Sequence, residues 1–218
     1  MKIVFFSLFP SLILPYFEDS ILKKAKDKNI FDIEVVNFRE YAENKHKKVD
    51  TEIVGGGAGM IIDNIALRNA LKEYKKKYPE ARTLFLTPVG KKYNQKDAVR
   101  LANEKVIFLV CGRYEGFDER LIEDFADEVM SIGDFILTGG ELGALVIADS
   151  VLRNVKGVLG NEESLNEESF NNNTLESPQF SKMGEVPLIL KSGNHKKITE
   201  WKKETSFLKT KFHRPDLL

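Results

Sequence analysis

Short apolar segments alternate along most of this chain with segments that have the periodicity of helices. The apolar segments lie at residues 2–8, 31–38, 83–88, 105–112 and 129–132. KVIFLVCG, residues 105–112, is typical, because it has the length of a strand and is almost entirely apolar, as a buried strand requires. Buried strands separated by helices predict an α/β fold built on a parallel sheet.

Four segments are predicted to form helices. One follows the first strand and ends near residue 27, and the others span about residues 64–78, 142–152 and 195–209. In the second of these helices, apolar residues are expected to face the core, namely Ile65, Leu67, Ala70 and Leu71.

Three of the predicted strands run into loops that contain glycine. These loops are LTPVG at 86–90, CGRYEGFDER at 111–120 and SIGDFILTGGE at 131–141. In open parallel sheets, ligands bind beyond the carboxyl ends of the strands, so the three loops mark the expected binding site. The second loop is also dense in charged and aromatic residues, although an ion-paired loop at the start of a helix would have the same composition.

A fourth glycine-rich segment, VGGGAGM at 54–60, has four glycines in five positions. Glycines let backbone amides approach a ligand closely, although a mobile hinge would have the same sequence. The segment lacks the Gly-Lys-Ser/Thr of a phosphate-binding loop, and Met60 stands where a dinucleotide-binding motif needs glycine. The chain has no G-x-S-x-G motif, and its three histidines lack metal-ligand spacing, so neither a hydrolase nor a dedicated metal site is predicted.

The length of 218 residues suits one large domain, alone or with a small second one. The single cysteine, Cys111, excludes a disulfide framework and favours a cytoplasmic location. The apolar N-terminus is interrupted by Pro10 and Pro15 and soon followed by acidic residues, which favours a buried strand over a signal peptide. No segment approaches the ~20 apolar residues of a membrane span, so no membrane partner is expected.

The charge of the chain is unevenly distributed. The formal net charge is +0, but from Lys191 onward eight Lys and Arg accompany three Asp and Glu. This basic end suits a polyanionic partner, although a solvated tail would look the same. Because residues 160–178 are rich in Asn, Glu and Ser, the predicted organisation is a cofactor-binding domain at 1–159, a flexible linker at 160–178 and a small helical domain at 179–218.

Taken in order, the motifs GGGAGM, LTPxG, CGRYEGFDER, SIGDxxLTGGEL, SGNH and RPDLL resemble those of the bacterial tRNA (guanine-N1)-methyltransferases of the TrmD type, in the SPOUT superfamily. The similarity covers nearly the whole chain. It implies a deep trefoil knot in the sheet domain, which sequence patterns alone would not predict. It also implies methyl transfer from S-adenosylmethionine to N1 of the guanine immediately 3′ of the tRNA anticodon.

The resemblance assigns cofactor binding to the three strand-end loops, largely through backbone groups. The residues are Leu86, Thr87, Pro88, Gly90, Gly112, Tyr114, Glu115, Ile132, Gly133, Phe135, Ile136, Leu137, Gly139 and Gly140.

The resemblance assigns catalysis to Glu168 and Arg153. Guanine N1 carries a proton at neutral pH, so a general base, here the Glu168 carboxylate, must remove it as the methyl group arrives. The Arg153 guanidinium would stabilise the negative charge that develops on guanine O6. The family usually has Asp where this chain has Glu168. The structural alternatives are a helix-end charge for Arg153 and a solubilising charge for Glu168.

The implied partner is the anticodon stem-loop of tRNA, gripped by a homodimer whose active site is shared between subunits. The substrate-binding residues by motif position are Gly57, Gly59, Met60, Ser169, Glu176, Asn194 and His195. Capping of the last helix is the structural alternative for Asn194. The resemblance further implies a requirement for Mg²⁺.

Three other functions compete with this interpretation. The first is a knotted methyltransferase with another RNA target, which the matches in the linker and C-terminal segment disfavour. The second is a non-catalytic RNA-binding protein, which the presence of both Arg153 and Glu168 disfavours. The third is an enzyme that binds nucleotides through the GGGAG loop, which the missing nucleotide-binding motifs disfavour.

Overall fold

The computed structural model describes residues 1–161, 165 and 168–218. These residues form two compact units, Met1–Gly160 and Asn161–Leu218. The predicted linker at 160–178 therefore contributes its described residues after Gly160 to the second unit. Its flexibility stays a prediction.

The first unit contains seven strands and five α-helices, and all of its residues are described. The strands are β1 (Lys2–Phe6), β2 (Asp32–Val36), β3 (Asp50–Glu52), β4 (Met60–Ile62), β5 (Arg82–Lys92), β6 (Val106–Cys111) and β7 (Glu128–Ser131). The helices are α1 (Ser20–Asp27), α2 (Asn64–Lys77), α3 (Gln95–Leu101), α4 (Glu119–Phe125) and α5 (Glu141–Leu152).

Five of these strands form one parallel sheet in the order β2-β1-β6-β5-β7, which confirms the predicted α/β class. The other two, β3 and β4, pair as an antiparallel hairpin. Every residue of the central strand β6 is buried. Along β1, Ile3 and Phe5 enter the core on one face of the sheet and Val4 and Phe6 the core on the other. Helices cover both faces, which explains why β6 is apolar throughout and why β1 is apolar after Lys2.

Helix α2 begins after Asp63, whose side chain accepts a hydrogen bond from the backbone N–H of Ile65. Leu67, Ala70 and Leu71 are fully buried, as predicted. The prediction for Ile65 is wrong, because its side chain is exposed. Ile65 precedes Leu67 by two residues, which places it on the opposite face of a helix with 3.6 residues per turn.

Strand β5 contains the irregularity that shapes the expected site. Its first half pairs with both β6 and β7, and its register with β7 then shifts between Leu86 and Lys91. The intervening residues leave the ladder as a bulge, and pairing resumes at Lys91 opposite Met130. The sheet thus holds the LTPVG loop at both of its ends.

In the second unit the described residues include α6 (Leu188–Lys191) and α7 (His195–His213). Helix α7 extends the helix predicted at 195–209 by about one turn. Ile198, Trp201 and Thr205 are half-buried along one face of it, in agreement with the predicted pattern. Thr210 is fully buried, and its hydroxyl accepts a hydrogen bond from the N–H of Leu175 at 2.8 Å.

We expect the stability of the first unit to depend on the carboxylate of Asp97 at the start of α3. This side chain is 4% exposed and pairs with Lys91 at 2.7 Å and Arg100 at 3.3 Å. Burial by itself would raise the pKa of Asp97, but the hydrogen bonds from Lys91 and Arg100 outweigh it and hold the pKa below its ordinary value. A lowered carboxyl pKa adds stability that is complete above the ordinary pKa and is lost from about pH 5 downward, as the pH falls through the lowered pKa of the folded state.

Asp97→Asn should therefore lower the free energy of unfolding at neutral pH by about 2 kcal/mol and make it less sensitive to acid. Urea unfolding followed across that pH range measures both effects. The matched control is Asp27→Asn, which alters an exposed ion pair with Lys23 and should leave the curves nearly unchanged. Identical acid dependence in Asp97→Asn and the wild type would contradict the assignment.

Candidate active site

The carboxyl ends of β5, β6 and β7 lie side by side and surround a cavity of about 240 Å³. Its walls come from the bulge within β5, which we name loop 1 (87–90), and from the segments that follow β6 and β7, which we name loop 2 (112–118) and loop 3 (132–140). A cavity at this edge is where an open parallel sheet binds ligands. The three motifs that the sequence marks at strand ends therefore converge in space.

Most of the residues predicted to bind cofactor line this cavity. They are Leu86, Thr87, Pro88, Gly112, Tyr114, Glu115, Ile132, Gly133, Phe135, Ile136, Leu137, Gly139 and Gly140. Sequence reasoning did not assign the other lining residues Arg113, Gly116, Phe117, Met130, Ser131, Thr138 and Gly143. Five of those lie inside the motifs at 111–120 and 131–141, so the motifs already pointed to them.

Gly90 is the one residue predicted to bind cofactor that does not line the cavity. All residues of the first unit are described by the structure. It lies at the end of the β5 bulge, where a Cβ atom would come within 2.5 Å of the backbone nitrogen of Met130. Glycine at this position lets β5 and β7 approach each other before their pairing resumes.

Loops 2 and 3 meet through glycine backbone. The N–H of Gly140 donates a hydrogen bond to the carbonyl of Gly112 at 2.8 Å. A Cβ atom on Gly140 would lie 2.8 Å from the Cα of Cys111 and 2.8 Å from the nitrogen of Gly112. Because those atoms are backbone, they cannot move aside, and only glycine allows this approach.

A buried polar cluster lies directly behind the contact between loops 2 and 3. The Glu141 carboxylate is 3% exposed, accepts a hydrogen bond from the Ser7 hydroxyl at 2.7 Å and pairs with Arg113 at 2.9 Å. Arg113 also donates to the carbonyl of Thr138 at 3.1 Å. Nearby, burial followed by the charge of Glu141 raises the pKa of the Cys111 thiol, so the cysteine stays protonated.

The β3–β4 hairpin carries Gly57, Gly59 and Met60, which were predicted to bind substrate, and it is hydrogen-bonded to loop 2. The N–H of Glu115 donates to the carbonyl of Met60 at 2.9 Å, and the N–H of Ile62 donates to Gly116 at 3.0 Å. Gly59 has a φ of +93°, and a Cβ atom there would come within 2.6 Å of the Glu115 side chain. The hairpin and the cavity thus share loop 2.

The two residues predicted to be catalytic belong to different units. In the first unit, Arg153 is the C-terminal cap of α5, is half-buried, and its N–H donates to the carbonyl of Asp149 at 3.0 Å. In the second unit, Glu168 is half-buried, and its carbonyl accepts from the N–H of Asn171 at 3.3 Å. Both residues make further interactions.

The remaining predicted substrate residues lie in the second unit. The Ser169 hydroxyl accepts from the N–H of Glu176 at 3.0 Å, and the Glu176 carboxylate accepts from Gln179 at 2.6 Å. Asn194 caps α7 by accepting from the N–H of Lys197 at 3.2 Å, which is the structural alternative foreseen for it. His195, the first residue of that helix, is exposed.

Among residues 1–161, 165 and 168–218, no three His, Cys, Asp or Glu side chains are grouped so as to hold a metal ion. Within the same residues, no helix is long and apolar enough to span a membrane.

Comparison with known proteins gives one consistent result. Residues 1–218 match a family model described as tRNA (Guanine-1)-methyltransferase TrmD. A protein of Helicobacter pylori (strain J99 / ATCC 700824) is 54% identical over 226 residues, covering 100% of this chain and 97% of that protein. A protein of a Nitratiruptor species is 53% identical, covering 99% and 97%, and one of Wolinella succinogenes is 52% identical, covering 100% and 94%. All three are named tRNA (guanine-N(1)-)-methyltransferase.

We expect Gly140→Ala to destabilise the first unit, since its Cβ atom would collide with the backbone of Cys111 and Gly112. The expected loss is about 2 kcal/mol in the free energy of unfolding, measured by urea denaturation. Gly160→Ala is the matched control, because no atom of the described residues lies within 4 Å of its added Cβ. Equal unfolding curves for the two variants would show that the contact does not constrain the site.

Proposed function

Because the chain belongs to the tRNA (guanine-1)-methyltransferase family, we propose that it transfers a methyl group from S-adenosylmethionine to N1 of the guanine immediately 3′ of the anticodon. Family membership makes the chain a tRNA (guanine-N1)-methyltransferase. The methyl donor, the position in the tRNA and the residues that act are the proposal. The observation that carries it is the cavity that loops 1, 2 and 3 enclose in a chain that matches the family throughout.

The walls of the cavity fit S-adenosylmethionine. Gly112, Gly133 and Gly139 of loops 2 and 3 line the cavity, so backbone atoms rather than side chains form its wall there. Apolar side chains of Phe135 and Ile136 line it and are exposed. Backbone groups can hold the polar parts of such a ligand, and apolar side chains can cover its purine. When bound, S-adenosylmethionine would supply a methyl group on a positively charged sulfur, and loss of that methyl group breaks the C–S bond and leaves the neutral thioether S-adenosylhomocysteine.

The proposed chemistry divides between two side chains. The Glu168 carboxylate accepts the proton of guanine N1, which frees the lone pair that attacks the methyl group. The Arg153 guanidinium stabilises the charge that develops on guanine O6 and can do so with two N–H groups. Holding the two reactants in line contributes much of the acceleration. Support for both assignments is the position of these residues in the family's motifs.

Recognition of tRNA is assigned to the hairpin residues Gly57, Gly59 and Met60 and to residues of the second unit. The latter are Ser169, Glu176, Asn194 and His195. The hydrogen bonds between the hairpin and loop 2 support this assignment, because they hold the hairpin beside the cavity in which the cofactor is proposed to bind. The exposed lysines of α7, such as Lys196 and Lys197, supply the positive charge that a phosphate backbone requires.

We also propose a homodimer whose active site is shared between subunits. Its support is an apolar stripe on α5, where Leu142 and Val146 are exposed at the spacing of one helix face. The exposed side chain of Tyr16 lies beside the next turn of α5, because its hydroxyl donates a hydrogen bond to Asp149 of that helix at 2.7 Å. A second copy of the chain would bury this stripe.

The trefoil knot that the family implies is likewise a proposal. Its support is the close passage of Gly140 across the end of β6, after which α5 packs against the core beneath the sheet. A requirement for Mg²⁺ is also proposed from the family. The described residues contain no cluster of His, Cys, Asp or Glu that could hold the ion, so no step of the reaction is assigned to Mg²⁺.

The proposal predicts which base receives the methyl group. Two tRNA transcripts would be incubated with the enzyme and labelled S-adenosylmethionine, one with guanine 3′ of the anticodon and one with adenine there. Label recovered as N1-methylguanine from the first transcript alone is the expected result. Equal labelling of both transcripts would show that another base is the target.

A second prediction concerns the proposed base. Glu168→Gln should lower turnover by about a hundredfold or more, because the amide cannot accept the proton, while S-adenosylhomocysteine still binds. Glu168→Asp, which restores the residue usual in the family, should retain activity. Arg153→Ala should also lower turnover more than cofactor affinity.

The matched control is Glu185→Gln, which changes an exposed carboxylate of the same unit. Single-turnover rates and binding by calorimetry separate the effects on chemistry and on affinity. Wild-type turnover in Glu168→Gln would exclude Glu168 as the base.

A further inference from the structure

Glu141 lies behind the cavity without lining it, yet it connects its own helix, α5, to two other segments around the site. One carboxylate oxygen accepts from the hydroxyl of Ser7, just after β1, and the other faces the guanidinium of Arg113 in loop 2. Glu141 itself is the first residue of α5, directly after loop 3. A charge buried this deeply is costly unless it is paired, so its partners matter more than those of a surface residue.

Arg113 carries this connection into the walls of the cavity. From loop 2 its guanidinium donates to the carbonyl of Thr138 in loop 3 at 3.1 Å. Its side chain fills the space beside Gly139, where a Cβ atom would lie 2.3 Å from the Arg113 Nε. The guanidinium also lies 4.5 Å from the ring centre of Phe9. One side chain thus fixes two loops whose glycines line the cavity.

The sheet cannot fix these loops by itself. Loop 2 follows β6 and loop 3 follows β7, and β5 separates those two strands in the sheet. No ladder of hydrogen bonds joins β6 to β7. The distance between the loops is therefore set by the contact between Gly140 and Gly112, by the hydrogen bond from Arg113 to Thr138, and by the Arg113–Glu141 pair that orients the guanidinium.

We propose that Glu141 is a positioning residue for the methyl donor, which through Arg113 holds loops 2 and 3 at the separation that cofactor binding needs. This assignment rests on the proposed function, since it presumes that the cavity binds S-adenosylmethionine. Glu141 does not touch the ligand in this scheme, so its loss costs cofactor affinity rather than the methyl-transfer step.

The sharpest test is Glu141→Gln, which preserves the shape of the side chain. Its amide oxygen can still accept from Ser7, but its NH₂ group then faces the guanidinium of Arg113, donor against donor. The Kd for S-adenosylhomocysteine and the KM for S-adenosylmethionine should both rise about tenfold or more, with kcat at saturating donor within about threefold of wild type. Ser7→Ala is a milder second variant that keeps both charges, and it should raise the Kd about threefold.

Asp97→Asn is the matched control, because it also converts a buried, ion-paired carboxylate to an amide, but away from the cavity. It should lose stability without loss of affinity. In a double-mutant cycle, the Kd of the variant with both Arg113→Met and Glu141→Gln should rise about as much as in the weaker-binding single variant. It should not rise by the product of the two single fold-changes.

The outcomes separate the two proposals. A wild-type chain that binds no S-adenosylhomocysteine would overturn the proposed function and this assignment with it. Wild-type binding with a Kd for Glu141→Gln within about twofold of wild type would overturn the positioning role alone. So would effects in the double variant that multiply, or a Kd that rises equally in Asp97→Asn, since either would reduce Glu141 to a contributor to stability.

Discussion

The contact between the Gly140 N–H and the Gly112 carbonyl, 2.8 Å long, is the interaction on which the site depends. It joins the loops after β6 and β7 across the end of β5, the strand that lies between them. A side chain at Gly140 would push the loops apart, because its Cβ atom would collide with the backbone of Cys111 and Gly112. The cavity exists because two loops that the sheet leaves separate can approach this closely.

The backbone contact between Gly140 and Gly112 sets the distance between the two loops. Charged side chains lie directly behind this contact. In the pair formed by Glu141 and Arg113, the carboxylate is buried away from water, whereas the Arg113 side chain is 18% exposed. Such a pair contributes little net stability relative to apolar side chains of the same size. Its directional hydrogen bonds to Ser7 and Thr138 instead select one arrangement of three segments. The pair is therefore better explained by a need to fix the positions of the segments that form the cavity than by a contribution to stability.

The five strands of the parallel sheet could be predicted because both of its faces are covered, which makes β6 apolar along its length and β1 apolar after Lys2. The short hairpin strands β3 and β4 were not predicted. Sequence reasoning also located the loops, since glycine after a buried strand is a local signal. It could not foresee that Gly90 would pack against β7, because the bulge in β5 arises from pairing between strands distant in sequence. It missed the Arg113–Glu141 pair for the same reason, since 28 residues separate the partners without any periodic pattern.

Loop 2 both lines the cavity and is hydrogen-bonded to the β3–β4 hairpin, so the conformations of the cavity and the hairpin depend on each other. Gly112 and Tyr114 lie on the cavity, while the backbone of Glu115 and Gly116 is hydrogen-bonded to the β3–β4 hairpin. The tip of that hairpin, with positive φ at Gly55, Gly56 and Gly57, has room to take up other conformations, whereas its base is tied to loop 2. A ligand that shifts loop 2 must therefore also shift the base of the hairpin. The cavity and the β3–β4 hairpin are thus joined by backbone hydrogen bonds rather than by particular side chains, so exchanging a side chain in either one leaves the connection in place.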